Sequence, residues 1–268
     1  MHTTRIISAL IPLPVLIGFI VVGGPWFTAF VALAGLIAMW EYLRMVGGDG
    51  AAASERGLAA LALLSVPVML LSALLGSAPA LMAASALFLV GFGAVTIACY
   101  PSKATVFNAV PHYFLGVCYI SVPLGLIVLI RGMADGIAWI FFILCIVFAN
   151  DVAAYFAGTR WGRRKLWPAV SPGKTLEGSA GGLTACFLVG CVFWALFLNR
   201  FPLAGCLLCI IGIGIAGPLG DLFESVIKRT HGVKDSGSIM PGHGGLLDRI
   251  DALLFAVPVA YAFRVFLQ

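Results

Sequence analysis

The chain has 268 residues, 62% of them apolar and 10% charged, with a formal net charge of +5. A soluble domain of this size carries about 25% charged residues. Too few polar side chains remain to cover a water-facing surface, so a soluble globular fold is excluded and lipid is the expected solvent.

A helix needs about 20 apolar residues to cross the hydrocarbon, and such runs recur along the chain. The first, Ile6 to Val22, follows Arg5 and shows no small-residue cleavage site before the next run, so it reads as a retained helix and not as a signal peptide. The predicted spans lie near 5–23, 25–45, 57–76, 78–99, 108–130, 136–157, 176–198, 203–227 and 247–267. The expected fold is therefore all-α, a polytopic integral membrane protein with about nine transmembrane helices. It forms a single transmembrane domain over 1–268, with the N-terminal spans in 1–135 and the charged connections concentrated in 136–268.

With an odd number of spans, the N-terminus and the even-numbered connections share one side. Of the 16 basic residues, all except Arg131, Arg200 and Arg264 fall on that side. By the positive-inside rule it is cytoplasmic. All of the 11 acids but Asp135 lie on or near the same side. The net positive charge is thus largely topology, and no nucleic-acid partner is expected.

The seven cysteines lie inside apolar runs, are odd in number and form no ligand cluster with histidine, so they read as buried thiols. Gly178, Gly181, Gly182, Gly190, Gly212 and Gly214 read as sites of close helix approach. Pro12, Pro14, Pro67, Pro123 and Pro218 can kink helices or free carbonyls, and Pro218, just before Asp221, marks a place where the helix can break.

Ionisable groups concentrate between Pro218 and Asp251. Asp221, Glu224, Ser225 and Lys228 fall at i, i+3, i+4 and i+7, on one face at the end of the eighth span. Asp248 and Asp251 stand at i, i+3 where the ninth begins. Carboxylates at membrane depth are costly and usually functional. Facing one another they need cations between them, and hard oxygen ligands suit Mg²⁺, which takes one or two carboxylates plus substrate phosphates. The connecting loop holds Gly232, Gly237, Gly242, Gly244 and Gly245 with interleaved Lys228, Arg229, Lys234 and Arg249, a composition suited to phosphate. The alternative is a solvated loop of internal salt bridges.

Two further clusters share that side. Asn150 and Asp151 end the sixth span, with Tyr155 and Gly158 following and the basic run Arg160 to Lys165 after them. Ser171-Pro-Gly-Lys-Thr-Leu-Glu-Gly178 then leads into the seventh span. It lacks the GxxxxGK[ST] spacing of a P-loop, but Lys174 stands just before a helix start, where a phosphate can sit.

The stretch Ser225-x-x-Lys228-Arg229-x4-Lys234-Asp235-x-Gly237 followed by Pro241-Gly242-His243-Gly244-Gly245-x-x-Asp248-Arg249-Ile250-Asp251 resembles the signature of phosphatidate cytidylyltransferases, also called CDP-diacylglycerol synthases. Met240 stands where Ile, Leu or Phe is expected. The Asn150-Asp151…Tyr155…Gly158 and SPGKTLEG segments resemble those of the family in the same order. The resemblance covers most of 145–265 and implies transfer of a cytidylyl group from CTP to phosphatidate, with Mg²⁺, a potassium ion nearby and a homodimer. For that reaction the residues are assigned by their chemistry: catalytic roles to Asp221, Lys228, Arg229, Asp248 and Asp251; substrate binding to Asp151, Lys174, Ser225, Lys234, His243 and Arg249; and metal ligation to Asp221, Asp248 and Glu224, of which Asp221 and Glu224 precede the signature. The expected location is the bacterial inner membrane, with the site facing the cytoplasm. Transfer to a different lipid phosphate stays open, as does an ion-coupled transporter, although charges gathered at one face and the lack of a visible repeat weigh against the latter.

Overall fold

The computed structural model describes residues 12–47, 55–101, 105–239 and 244–267. Hydrocarbon offers no hydrogen bonds to the backbone, so a spanning segment satisfies its own amides as a helix. The described residues form α1 (Pro12–Val22), α2 (Gly24–Gly47), α3 (Arg56–Leu74), α4 (Ala78–Cys99) and α5 (Val106–Gly132, with a π turn at Val117–Ser121). There follow α6 (Gly136–Trp161), a hairpin of β1 (Lys165–Trp167) and β2 (Ser171–Thr175), α7 (Leu176–Leu198), α8 (Leu203–Thr230) and α9 (Leu247–Phe266).

Seven of these helices, α2 to α8, are long and apolar enough to cross a membrane. The chain is thus an all-α integral membrane protein. α1 is a shorter apolar helix, and the start of the first predicted span, with Arg5, lies outside the described residues. α9 matches the ninth predicted span in place but carries Asp248, Arg249 and Asp251 in its first turns.

The chain divides into two compact units: Met1–Met133 with Val233–Arg249, and Ala134–Gly232 with Ile250–Gln268. The segment Val233–Arg249 groups with the N-terminal helices.

In the first unit, α3 packs against α2, α4 and α5. Met39, Tyr42, Leu58, Met69, Phe92 and Ile120 are among its fully buried side chains. Ser65 and Ser121, both buried, share a hydrogen bond of 2.6 Å between their hydroxyls, a polar tie between α3 and α5. Arg131 caps the C-terminal end of α1, where carbonyls lack intrahelical partners: Nε donates to the Ile20 carbonyl at 2.6 Å and Nη2 to that of Val21 at 3.0 Å. Gly23, at φ +70°, turns the chain beneath this guanidinium, where a Cβ would collide with it.

In the second unit, α6 and α7 approach most closely. Gly178 faces the Ala154 carbonyl, Gly181 the Ala157 methyl and Gly182 the Asn150 side chain, so the expected role of these glycines in close packing holds. α8 runs unbroken through Pro218. Proline has no N–H to give the carbonyl four residues back, and Asn150 supplies the missing donor: its Nδ2 lies 2.8 Å from the Gly214 oxygen. The helix therefore continues where the sequence marked a place to break. Near the start of α6, Arg264 donates to the Ala134 carbonyl at 3.0 Å and lies over the rings of Trp139 and Phe201. Arg200 pairs with Asp135. None of the cysteines is in a disulfide; Cys186, Cys206 and Cys209 are buried as expected, whereas Cys118 is exposed.

Candidate active site

The hairpin and the start of α7 place Lys174. Thr175 is the N-cap of α7, its Oγ accepting from the Gly178 amide at 3.0 Å. Glu177, in the first turn, accepts from the Arg163 and Arg164 amides at 3.1 Å each and pairs with the Arg164 guanidinium at 3.2 Å. This ties the basic run to the helix start. β1 and β2 pair antiparallel with Lys165 opposite Thr175 and Trp167 opposite Ser171. Lys174, the last residue before the cap, reaches α8. Its ammonium lies 2.9 Å from Asp221 Oδ2 and donates to the Pro218 carbonyl at 3.0 Å.

The predicted face of α8 forms as spaced. Ser225 Oγ donates to Asp221 Oδ1 at 3.4 Å, and Lys228 pairs with the fully buried Glu224 at 2.8 Å. Asp251 on α9 is buried, within electrostatic reach of Asp221 and Lys228 and within hydrogen-bonding reach of Glu224. Gly220 makes this approach possible: a methyl there would lie 2.5 Å from the Asp251 carbonyl oxygen. Asp151, exposed on α6, feels the charges of both Asp221 and Lys174. The second unit thus gathers four carboxylates around two lysines.

In the first unit the signature residues fold onto α2. Asp248 Oδ2 accepts from the Ser236 amide at 3.0 Å, the Ser236 hydroxyl at 3.0 Å and the Gly245 amide at 2.8 Å. Glu41, fully buried in α2, accepts from the Leu246 amide at 3.1 Å, the Leu247 amide at 2.9 Å and the Ser236 hydroxyl at 3.3 Å. The amides of Gly245, Leu246 and Leu247 are therefore committed to carboxylates of the chain itself, where the sequence suggested that the loop's glycines open amides to a phosphate. Lys234 and Arg249 are exposed. Met240 to His243 lie outside the described residues, and with them the predicted substrate contact of His243.

Residues 3–267 match the model of the cytidylyltransferase family. The chain belongs to that family. It is similar to the phosphatidate cytidylyltransferase of Staphylococcus haemolyticus, 35% identical over 259 residues that cover 96% of this chain and 95% of that one. It is 33% identical to that of Pseudomonas aeruginosa, over 95% of this chain and 94% of that one. Against the Bacillus subtilis phosphatidate cytidylyltransferase the identity is 40%, over 58% of each chain.

The second unit brings together six charged residues, Asp151, Lys174, Asp221, Glu224, Lys228 and Asp251, with the Ser225 hydroxyl beside Asp221. Arg229, one residue past Lys228, is exposed at the end of α8. Asp248, Lys234 and Arg249 belong to the first unit. Sequence reasoning did not single out Glu41 or Gly220. Glu41 signalled itself only as an acid in an otherwise apolar span, and Gly220 as the small residue preceding Asp221.

Among the described residues no group of three or more histidine, cysteine, aspartate or glutamate side chains is arranged to hold a metal ion. Mg²⁺ does not ask for such a cage, because it keeps waters and takes substrate phosphates beside one or two carboxylates. The donor set of the second unit, hard carboxylate oxygens held close enough to repel one another, fits an ion bound in that way. Asp221, only half-buried, is the best placed. Glu224, fully buried against Lys228, is placed less well.

Proposed function

We infer that this chain transfers the cytidylyl group of CTP to phosphatidate, giving CDP-diacylglycerol and pyrophosphate. The observation that carries the reading is near-full-length similarity to phosphatidate cytidylyltransferases, on a chain whose charged residues are those such a reaction needs.

In this reading an oxygen of the phosphatidate monoester attacks the α-phosphorus of CTP in line. The new P–O bond forms as the bond to the bridging oxygen breaks, and pyrophosphate leaves with the electron pair. A phosphate monoester has a second pKa of about 6, so it is already largely ionised and no dedicated base is required. The work is positioning and charge neutralisation. Lys174, Lys228, Arg229, Lys234 and Arg249 hold phosphates, and Ser225, Asp151 and His243 orient substrate. In the second unit Asp221, with Glu224 and Asp251 in support, would hold Mg²⁺, and in the first unit Asp248 is assigned as a metal ligand in its own right; the ion, when bound, would neutralise charge on the triphosphate. A potassium ion and a homodimer complete the reading; both rest on family resemblance alone. The site faces the cytoplasm of a bacterial inner membrane, with the N-terminus on the same side and nine spans in all. Such a place, at the ends of helices, admits a soluble nucleotide and a bilayer lipid.

The test is a single assay. Purified protein with labelled CTP and phosphatidate is expected to form CDP-diacylglycerol only when Mg²⁺ is present. Pyrophosphate release from CTP without lipid would contradict direct transfer, and preference for a different lipid phosphate would reassign the substrate.

A further inference from the structure

We propose that Glu41 is a positioning residue for the cytidylyl transfer: from α2 it fixes Ser236, Leu246 and Leu247 and, through them, the orientation of Asp248. The proposal rests on the reading of the chain as a phosphatidate cytidylyltransferase.

A fully buried acid in an apolar helix needs partners for its charge. Among the described residues, Glu41 accepts three hydrogen bonds from the signature segment. Oε1 takes the Leu246 amide, and Oε2 takes the Leu247 amide and the Ser236 hydroxyl. The two amides stand at the N-terminal end of α9, where the helix dipole favours a negative charge. The Ser236 hydroxyl also lies 3.0 Å from Asp248 Oδ2, so the two carboxylates hold one hydroxyl between them. The same Asp248 oxygen is fixed by the Ser236 and Gly245 amides, which lie in the stretch that Glu41 anchors.

The glycines of the segment are fitted to this carboxylate. At Gly237, the three atoms nearest an added methyl all belong to Glu41; at Gly245 they are Ser236 Oγ, Glu41 Oε2 and the Gly237 amide nitrogen. Two loop glycines thus admit an acid from α2. A helix cap whose sole purpose was stability would not need to end on the side chain of Asp248.

The test uses the full chain with Glu41→Gln, Glu41→Ala, Gly237→Ala and the double variant Glu41→Ala/Gly237→Ala. Three quantities are read: hydrogen exchange of the peptide covering residues 244–249, kcat and KM for CTP, and the Mg²⁺ concentration giving half-maximal rate. Each Glu41 variant is expected to exchange faster at 244–249 and to lose kcat on the order of 10- to 100-fold, as displaced catalytic groups do. The Mg²⁺ requirement is expected to rise several-fold, with little change in KM. Gly237→Ala is expected to damage the wild type and to add little to Glu41→Ala, since the side chain it strikes is gone.

A folded Glu41→Ala protein with wild-type exchange, kcat and Mg²⁺ requirement overturns the proposal. So does full additivity of the two substitutions. If Glu41→Ala does not fold, Glu41→Gln and Gly237→Ala carry the test, and failure of all of them to fold assigns Glu41 to stability alone. An inactive wild type would sink the functional reading instead, while the exchange measurement would still report whether Glu41 holds the segment.

Discussion

Lys174 and Asp221 form the most exposed ion pair of the candidate site, and each is assigned a charge that the reaction uses. Lys174→Met removes both a phosphate ligand and the partner of Asp221, and Asp221→Asn removes a metal ligand. Either is expected to lower turnover by about 100- to 1,000-fold, the scale seen when one preorganised electrostatic contact is lost, while leaving detergent thermal stability nearly intact. CDP-diacylglycerol formation checks the first and a melting curve the second. The legibility of these residues follows from distance along the chain. Ser225 with Asp221 and Lys228 with Glu224 stand four apart, and helical periodicity alone sets them on one face. Lys174 was visible as a lysine before a helix, but its contact with α8 lies 44 residues away. Glu41 meets its amides across 205 and 206 residues, and no local pattern encodes that meeting.

At the scale of elements, one asparagine decides whether α8 bends or continues. Pro218 leaves the Gly214 carbonyl without its helical donor, and Asn150 provides one from α6. Asn150→Leu removes the donor and also crowds Gly182, which has no room for a larger neighbour. It is expected to cost about 1–3 kcal/mol, the desolvation of one unmet buried group. A lowered unfolding temperature in detergent measures this, and Gly182→Ala in the wild type is expected to push in the same direction. Sequence showed that helices pack closely at Gly178, Gly181 and Gly182, because small residues in a span have few other uses. It could not show that the proline would be neutralised, since the compensating side chain is 64 residues distant. The same contact commits the Asn150 amide to backbone.

At the scale of the whole molecule, charge asymmetry was the most legible feature, and its three exceptions have local explanations. Arg131 caps α1, Arg200 pairs with Asp135, and Arg264 is held by the Ala134 carbonyl and two aromatic rings. In spheroplasts, a membrane-impermeant thiol reagent is expected to label Asn199→Cys directly and Arg163→Cys only after lysis, relative to the parent chain. The reverse pattern would invert the topology. The places of the seven long apolar helices were readable because hydrocarbon permits few backbone solutions. The grouping of Val233–Arg249 with the N-terminal helices was not, because hydropathy carries no record of which spans are neighbours.

The bond between Glu41 and the start of α9 also sets an order of events during synthesis. The acid enters the bilayer region with α2, whereas its first amide partner is made 205 residues later. At roughly 5–20 residues per second, the carboxylate waits on the order of 10–40 s without these partners. The N-terminal helices therefore cannot reach their final state while the ribosome is still at work on the middle of the chain. Closure of the first unit coincides with completion of the last helix, so a prematurely ended chain lacks the signature segment and is also left with an acid that has nowhere to settle.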